Sequence, residues 1–286
     1  MSSISESLCG QQILDTAVAA VPVYAESMPK LPVLCIGSVV LGMASDRLRE
    51  HRLLASEATN MIRTAFLLVS CLISVRAAAA DLAIAEVSLH LPQPSGYCEM
   101  DPVLASDAPL VANTYSARAK AGGRLLLLSA DCSEVKDWRG GKRRTLEHFA
   151  QYETPLRTEY ASLPDIPGNV VRSYCEGMRR SEHAADGMSA NNLDRAEYFS
   201  KTLGQNETLY VGVVAEEPLV CYVATLRNVE AETGDGTQLC LVASTIIKEK
   251  VVLFYLFAPY RGRETLSRLL TMQRANMVQL QQANRD

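Results

Sequence analysis

The period of the apolar positions changes along the chain and predicts where helices and strands lie. Residues 82–91 and 124–130 are apolar runs of strand length, and the first alternates apolar and polar positions towards its end. Between them a helix is predicted from Asp101-Pro102 to about Lys120, because proline is favoured in a first helical turn and Gly122-Gly123 follow. The first half of the region after residue 81 therefore mixes strand and helix.

A helical period continues over residues 165–203. One apolar stripe at helical spacing consists of Val170, Val171, Tyr174, Cys175 and Met178. Asn192 is a residue type that caps helices, so a second helix is predicted from there to Gly204, with Leu193, Ala196, Phe199 and Leu203 on its apolar side. Both stripes indicate core contacts.

The pattern then changes to strands. Residues 209–215, 218–226, 237–247 and 250–258 are rich in β-branched residues and tyrosine, and their short connections predict antiparallel hairpins. An amphipathic helix over 263–282 would cover the sheet with Leu266, Leu269, Leu270, Met277 and Leu280. The expected fold class is α+β, an antiparallel β-sheet covered by helices. Glu249 stands where the last tight turn would favour glycine, which leaves the turn type open.

Residues 61–80 have the layout of a secretory signal peptide. Arg63 gives a positive start, an apolar run of about 11 residues follows, and small residues at Ala78 and Ala80 fit a cleavage site before Asp81. A membrane-spanning helix needs roughly 20 apolar residues, so this run is too short to span alone. We expect signal cleavage between Ala80 and Asp81.

The position of this segment leaves its origin open. Translation starting at Met61 would make residues 1–60 a non-structural upstream extension; alternatively the chain begins at Met1 and residues 61–80 are retained as a hydrophobic anchor. A lipobox-like stretch ending at Cys71 is weaker, since the apolar run continues beyond it. In either case residues 81–286 are expected to form a single α+β domain.

Composition and charge narrow the function classes. The chain is 48% hydrophobic and 21% charged, which is typical of a globular protein and not of a disordered or coiled-coil one. Its net charge of −4 gives no reason to expect a nucleic-acid partner. The turn at residues 138–144 is basic; it is expected to be a solvated loop, with contact to an anion or lipid headgroup as the alternative.

Five cysteines follow residue 81, and no two of them have C-x-x-C spacing. Cys98 and Cys132 lie at the ends of strand-like runs, so a Cys98–Cys132 disulfide is expected if the protein is exported. The alternative is that all five are small buried hydrophobic residues.

Few residues suggest chemistry. His90, His148 and His183 have no metal-ligand spacing, and neither a nucleophile elbow nor a dinucleotide-binding motif is present in the sequence. Cys132 with His148 could form a thiolate–imidazole pair, although the neighbouring Asp131 would oppose thiolate formation. No catalytic residue, metal ligand or cofactor is therefore assigned.

Four segments carry a resemblance to a known family: residues 92–98 (PQPSGYC), 126–132 (LLLSADC), 138–140 (WRG) and 152–155 (YETP). They resemble uncharacterised exported proteins of proteobacteria. The late hairpin, Ala258-Pro-Tyr260 and the last helix are similar to the ending of PsbP-like α/β sandwiches. The resemblance implies a PsbP-like fold and an export route, and it carries no activity.

The sequence thus predicts an exported, periplasmic or secreted, non-catalytic domain that binds an unknown protein or small molecule in the cell envelope. One alternative is a membrane-tethered envelope protein that retains residues 61–80, the condition under which membrane contact is expected. A cysteine hydrolase using Cys132 and His148 is the other.

Overall fold

The computed structural model describes residues 80–163, 167–186, 192–202, 208–231 and 234–285. The predicted extension 1–60 and almost all of the predicted signal segment lie outside this part. The strands are β1 (Ala80–Ile84), β2 (Val87–Leu91), β3 (Tyr97–Glu99), β4 (Gly123–Asp131), β5 (Phe149–Pro155), β6 (Thr208–Glu217), β7 (Val220–Ala231), β8 (Gly234–Ile247) and β9 (Lys250–Pro259). The helices are α1 (Ala108–Lys120), α2 (Cys132–Arg139), α3 (Pro167–Asp186), α4 (Asn192–Thr202) and α5 (Arg263–Ala283).

Seven of these strands form one antiparallel sheet in the order β3-β4-β5-β9-β8-β7-β6. β1 and β2 form a separate two-stranded antiparallel sheet. The predicted α+β class, with an antiparallel sheet built mainly from the last four strands, is confirmed. Each hairpin connection in β6–β9 keeps its neighbours paired, so the sheet follows chain order at that side.

The sheet buries both of its faces. Successive side chains of a strand point to opposite faces, and on β9 this places Phe254 and Leu256 on one face, against α4, α5 and the β1–β2 sheet. Tyr255 and Phe257 point to the other face, which α3 covers. α1 packs on that second face beside β4, where Leu110 contacts the cluster around Leu128. Helices therefore cover the sheet from both sides.

The apolar stretch 82–91 folds as a hairpin and not as the single strand predicted. Ala85 and Glu86 form the turn between β1 and β2, and Ala85 has φ of 52°. Neither residue is one of the usual turn formers, which is why the sequence pattern gave no sign of a break. Leu89 and Leu91 are fully buried against the main core.

The tight turn between β8 and β9 is made without glycine. Lys248 has φ of 46° and Glu249 has φ of 64°, so both central residues lie in the left-handed region that a type I′ turn requires. The Glu249 carbonyl also accepts a hydrogen bond of 3.3 Å from the Leu163 backbone N–H. The question that the sequence leaves open at Glu249 is thus answered by a strained turn of the usual hairpin type.

Two helices and one strand near Cys132 and His148 differ from the prediction. α1 begins at Ala108 and not at Asp101, because residues 102–107 form turns that lead into it. α2 was not predicted: its eight residues are short and mostly polar, and Asp131 caps it directly at the end of β4. β5 was not predicted as a strand either, since polar residues occupy much of it.

The last helix covers the sheet as expected, with one correction. Leu266, Leu269, Met277 and Leu280 are buried, whereas Leu270, predicted to be buried as well, is only half-buried at the edge of the contact. Gln273 is fully buried in the middle of α5, and its amide donates to the carbonyls of Leu241 and Phe254 at 2.9 and 2.7 Å. Within the described ranges, no helix combines the length and the apolar character needed to cross a bilayer.

Candidate functional site

The two cysteines singled out by the sequence lie together at one end of the sheet. Cys98 on β3 and Cys132 at the start of α2 form a disulfide with Cα atoms 4.9 Å apart. That separation lies within the range of about 4.4–6.8 Å that a disulfide requires. Both residues are half-buried, so the bond lies near the surface. The pairing is the one expected from the strand ends.

Backbone contacts around this disulfide hold α2 against the sheet. The Cys132 N–H donates to the Gly96 carbonyl, and the Asp131 N–H donates to the His148 carbonyl, each at 2.9 Å. The Asp131 carboxylate accepts hydrogen bonds from the N–H groups of Ser133 and Glu134, which caps the helix. The hydrogen bond from the Ser133 hydroxyl is the main cause that lowers the pKa of Asp131.

Glu134 on α2 contacts the loop before β5 through both of its carboxylate oxygens. One of its oxygens accepts from the backbone N–H groups of Glu147 and His148 at 2.8 and 3.1 Å. The other lies 2.7 Å from His148 Nδ1 and 2.9 Å from Arg143 Nη1. Burial on its own would raise the pKa of Glu134, but the hydrogen bonds from His148 and the two backbone groups lower it below its ordinary value.

Glu134, Glu147 and His148 bring their ligand atoms within 4.8 Å of one another, close enough to be tested as a metal site. The donor set does not fit one. One Glu134 oxygen already accepts two hydrogen bonds, the other is engaged by His148, and the Arg143 guanidinium would repel a cation placed there. The arrangement is that of a carboxylate that ties the loop before β5 to α2.

A second carboxylate fixes the loop in front of α1. Asp107 is fully buried, and its Oδ2 accepts from Arg139 Nη2 at 2.6 Å and from Nε at 3.0 Å. Arg139 also donates to the Glu99 carbonyl, and the Trp138 indole N–H donates to the Ser106 carbonyl at 3.1 Å. Residues 101–107 are therefore held rigidly against the end of α2.

The structure does not arrange Cys132 and His148 as a catalytic pair. The sulfur of Cys132 is bonded to Cys98, so it cannot form the thiolate that acts as the nucleophile. The His148 ring is oriented by Glu134, whose Oε1 lies 2.7 Å from Nδ1. The geometry therefore gives no support to the cysteine hydrolase alternative.

A second disulfide was not predicted. Cys175 on α3 is bonded to Cys221 on β7, with Cα atoms 5.7 Å apart, and both residues are fully buried. Cys175 belongs to the apolar stripe of α3, so its spacing could equally indicate a packing residue. Cys240 is buried and takes part in neither disulfide.

A buried ion pair lies under α1 on the face of the sheet that Tyr255 lines. Arg118 and Glu153 are 3% and 0% exposed, and two N–H groups of Arg118 meet the two Glu153 oxygens at 2.5 and 2.9 Å. Gln151 donates to the same carboxylate at 2.7 Å, and the guanidinium lies 5.3 Å from the centre of the Tyr255 ring. No spacing rule links a helix arginine to a strand glutamate 35 positions away, so sequence reasoning missed this pair.

The remaining candidates lie apart from this end of the molecule. Ala80 and Asp81, at the expected cleavage site, pair through their backbones with Leu91 and His90 in the β1–β2 sheet. His90 is exposed, and Asn284 hydrogen-bonds both its N–H and its carbonyl. His183 lies in α3, and its side chain is outside the described part. His90 lies on β2 and His183 on α3, whereas His148 lies in the loop before β5.

Comparison with known proteins found no match to the chain among protein-family models, curated proteins or solved structures. The likeness to exported proteobacterial proteins with a PsbP-like sandwich thus enters the argument only as a proposal.

Proposed function

We propose that this protein is an exported domain of the bacterial envelope, periplasmic or secreted, that binds a partner or small ligand and performs no catalysis itself. The observation that carries the proposal is the pair of disulfides, Cys98–Cys132 and Cys175–Cys221. Disulfides persist in oxidising compartments, whereas cytosolic thiols are kept reduced. These bonds indicate an oxidising environment of the extracellular type.

The segment before the domain supports the same route. A signal peptide at residues 61–80 would deliver the chain to such a compartment, and cleavage after Ala80 would remove one backbone pair, Ala80 with Leu91, from β1–β2. The four pairs from Asp81 to Ile84 would remain. The first element of the fold is therefore compatible with a mature chain that begins at Asp81.

The architecture supports membership of the PsbP-like α/β sandwiches. A seven-stranded antiparallel sheet lies between helices on both faces, with a long C-terminal helix after the last hairpin. We propose this fold family as the closest description of the domain. Binding is favoured over catalysis because the reactive candidates are already engaged: Cys132 in a disulfide and His148 with Glu134.

N-terminal sequencing of the exported protein tests the proposal. The full 286-residue chain is expressed in a Gram-negative host, and the soluble envelope fraction is analysed without reduction. We expect a product that begins at Asp81 and resists alkylation at Cys98, Cys132, Cys175 and Cys221. A matched variant with Ala78→Asp and Ala80→Asp should accumulate uncleaved, because signal peptidase requires small residues there.

The alternatives give different results in the same experiment. A membrane-bound product that retains Met61 or earlier residues would favour the tethered form. A product found in the cytosol with all four cysteines alkylated would overturn export altogether. A hydrolase screen that detects activity in the wild type and not in Cys132→Ser would contradict the non-catalytic assignment.

A further inference from the structure

Two neighbouring apolar side chains are presented to solvent in front of α1. Val103 is 87% exposed and Leu104 is 41% exposed. They are not on a loose loop: the Leu104 carbonyl accepts from the Asp107 and Ala108 N–H groups at 3.0 and 2.8 Å. The Val103 N–H donates to Asp101 at 2.8 Å. The fold holds these apolar groups outward at the cost of their exposure to water.

The surface that continues from them is uncharged. Residues 102–117 include one charged side chain, Asp107, and that carboxylate is buried against Arg139. The outer side of α1 in this stretch consists of small or neutral residues, with Tyr115 52% exposed on its flank. An uncharged surface of this kind is suited to contact with an interface of low polarity.

A basic segment, residues 136–144, lies directly beside these residues. It has five basic side chains and one acidic one, in a chain whose net charge is −4. Arg139 and Arg143 are paired with Asp107 and Glu134, so the charge offered to a partner rests mainly on the lysines. Arg139 forms a salt bridge of 2.6 Å with Asp107, and the Asp107 N–H donates to the Leu104 carbonyl. These contacts connect the basic segment to the apolar residues. Lys136 and Lys142 are exposed, and neither makes an ion pair within the described ranges.

From this combination we propose that residues 101–107 and the basic segment together form a contact surface for an anionic phospholipid membrane. Val103 and Leu104 would enter the headgroup region while Lys136 and Lys142 contact the anionic headgroups. Trp138 joins the two parts through its bond to Ser106, at the interfacial position that tryptophan favours. An anionic surface is the occupant that complements both the positive charge and the apolar tip.

The inference deepens the proposed function, since export would bring the domain to a membrane surface. It takes up the lipid-headgroup alternative for the basic turn at 138–144. It differs from the expectation that membrane contact requires residues 61–80, because here the folded domain itself makes the contact. The two proposals fail separately: N-terminal sequencing decides export, and vesicle binding of the purified protein decides this one.

The experiment measures binding of the purified exported protein to vesicles of equal parts phosphatidylglycerol and phosphatidylethanolamine. Trp138 is the one tryptophan of the chain, so its emission reports on this surface alone. We expect a blue shift, quenching by brominated lipid, and binding weakened by about 0.5 M salt. Vesicles of phosphatidylcholine, which are neutral, should bind at least tenfold more weakly.

Two variant pairs separate the apolar and electrostatic parts. Val103→Asp with Leu104→Asp, and Lys136→Glu with Lys142→Glu, should each raise the dissociation constant about tenfold or more. Tyr160→Asp is the matched control: Tyr160 is 80% exposed after β5, at the opposite end of the sheet, and its variant should bind like the wild type. Each variant keeps the same N-terminus, so an anchor at 61–80 could not produce the difference.

Three results would overturn the proposal. The first is no binding of the wild type to anionic vesicles, and the second is equal binding to phosphatidylcholine. The third is binding that both variant pairs leave unchanged. Binding of polyglutamate, but not of vesicles, by the wild type would assign the surface to an acidic protein instead. Should a variant pair fail to fold, quenching and salt dependence of the wild type still decide the matter.

Discussion

At the scale of single residues, the Arg118–Glu153 pair joins two charged side chains that are both buried. Both groups are removed from water, and a buried ion pair regains the lost hydration only through close geometry and further hydrogen bonds. Here the contact is two-pronged, and Gln151 adds a third donor to the carboxylate. Loss of one partner would leave the other charge buried without its oppositely charged partner.

We therefore expect Arg118→Met and Glu153→Leu, made singly, to lower the free energy of unfolding by about 3–5 kcal/mol. The double variant should lie close to the wild type, because no buried charge is left over. Urea unfolding of the four proteins measures the difference. Arg263→Ala, which removes an exposed arginine paired with Asp194 and Glu197, is the control and should change little. Additive losses in the double variant would contradict this account.

The two disulfides differ in access and should differ in their reduction. Cys98 and Cys132 are half-buried near the surface, whereas Cys175 and Cys221 are fully shielded between α3 and β7. Exchange requires a thiolate to reach a disulfide sulfur. Under native conditions a mild dithiol should open Cys98–Cys132 first, and timed alkylation with mass spectrometry measures the order. Equal rates for both bonds would show that access does not control their reduction.

At the scale of elements, strands and helices with a regular apolar pattern could be predicted, whereas a strand with polar residues at buried positions could not. β7, β8 and β9 are continuous runs of β-forming residues, and the helical stripe of α3 is equally clear, so their positions follow from the sequence. β5 places Gln151 and Glu153 on a buried face, which hides its apolar alternation. That face is polar because Arg118 arrives from α1, a contact that no local pattern encodes.

The candidate site shows the same division. The Cys98–Cys132 pairing could be expected because both residues lie at strand ends, which tend to meet. The contacts of Glu134 could not be predicted. Its partners are the loop backbone at residues 147–148 and Arg143, and the turn after α2 brings them to it only in the folded chain. A single glutamate in a polar segment gives no periodic signal.

Burial along α5 predicts how its leucines contribute to stability. Leu269 is 1% exposed, while Leu270, the next residue, is half-buried at the edge. Leu269→Ala should cost about 2–5 kcal/mol, as for a fully buried leucine. Leu270→Ala should cost clearly less, because the cavity it leaves is open to water. Thermal and urea unfolding of the two variants compare them directly, and equal losses would mean that α5 packs by a different face.

At the scale of the whole molecule, acidic groups at one end of the sheet connect stability to pH. The pKa values of Asp107, Asp131 and Glu134 are all lowered in the folded protein. For Asp107, burial would raise the pKa, but Arg139, Ser106 and the Asp101 N–H together lower it. The pKa of Glu99 is shifted in the opposite direction, because burial raises it.

A carboxyl whose folded-state pKa is lowered stabilises the fold above its unfolded pKa, about 4 for aspartate and glutamate, and this contribution disappears as the pH falls through the folded value. We therefore expect the free energy of unfolding to fall steeply below about pH 4. Glu134→Gln should be less stable at pH 7, where it loses the ion pair with Arg143 and weakens the hydrogen bond with His148, and should show a shallower acid decline. Glu176→Gln, an exposed change on α3, is the control and should follow the wild-type curve. Urea unfolding from pH 7 to pH 2 measures both slopes. Parallel curves for the wild type and Glu134→Gln would show that this carboxylate contributes nothing to the acid transition.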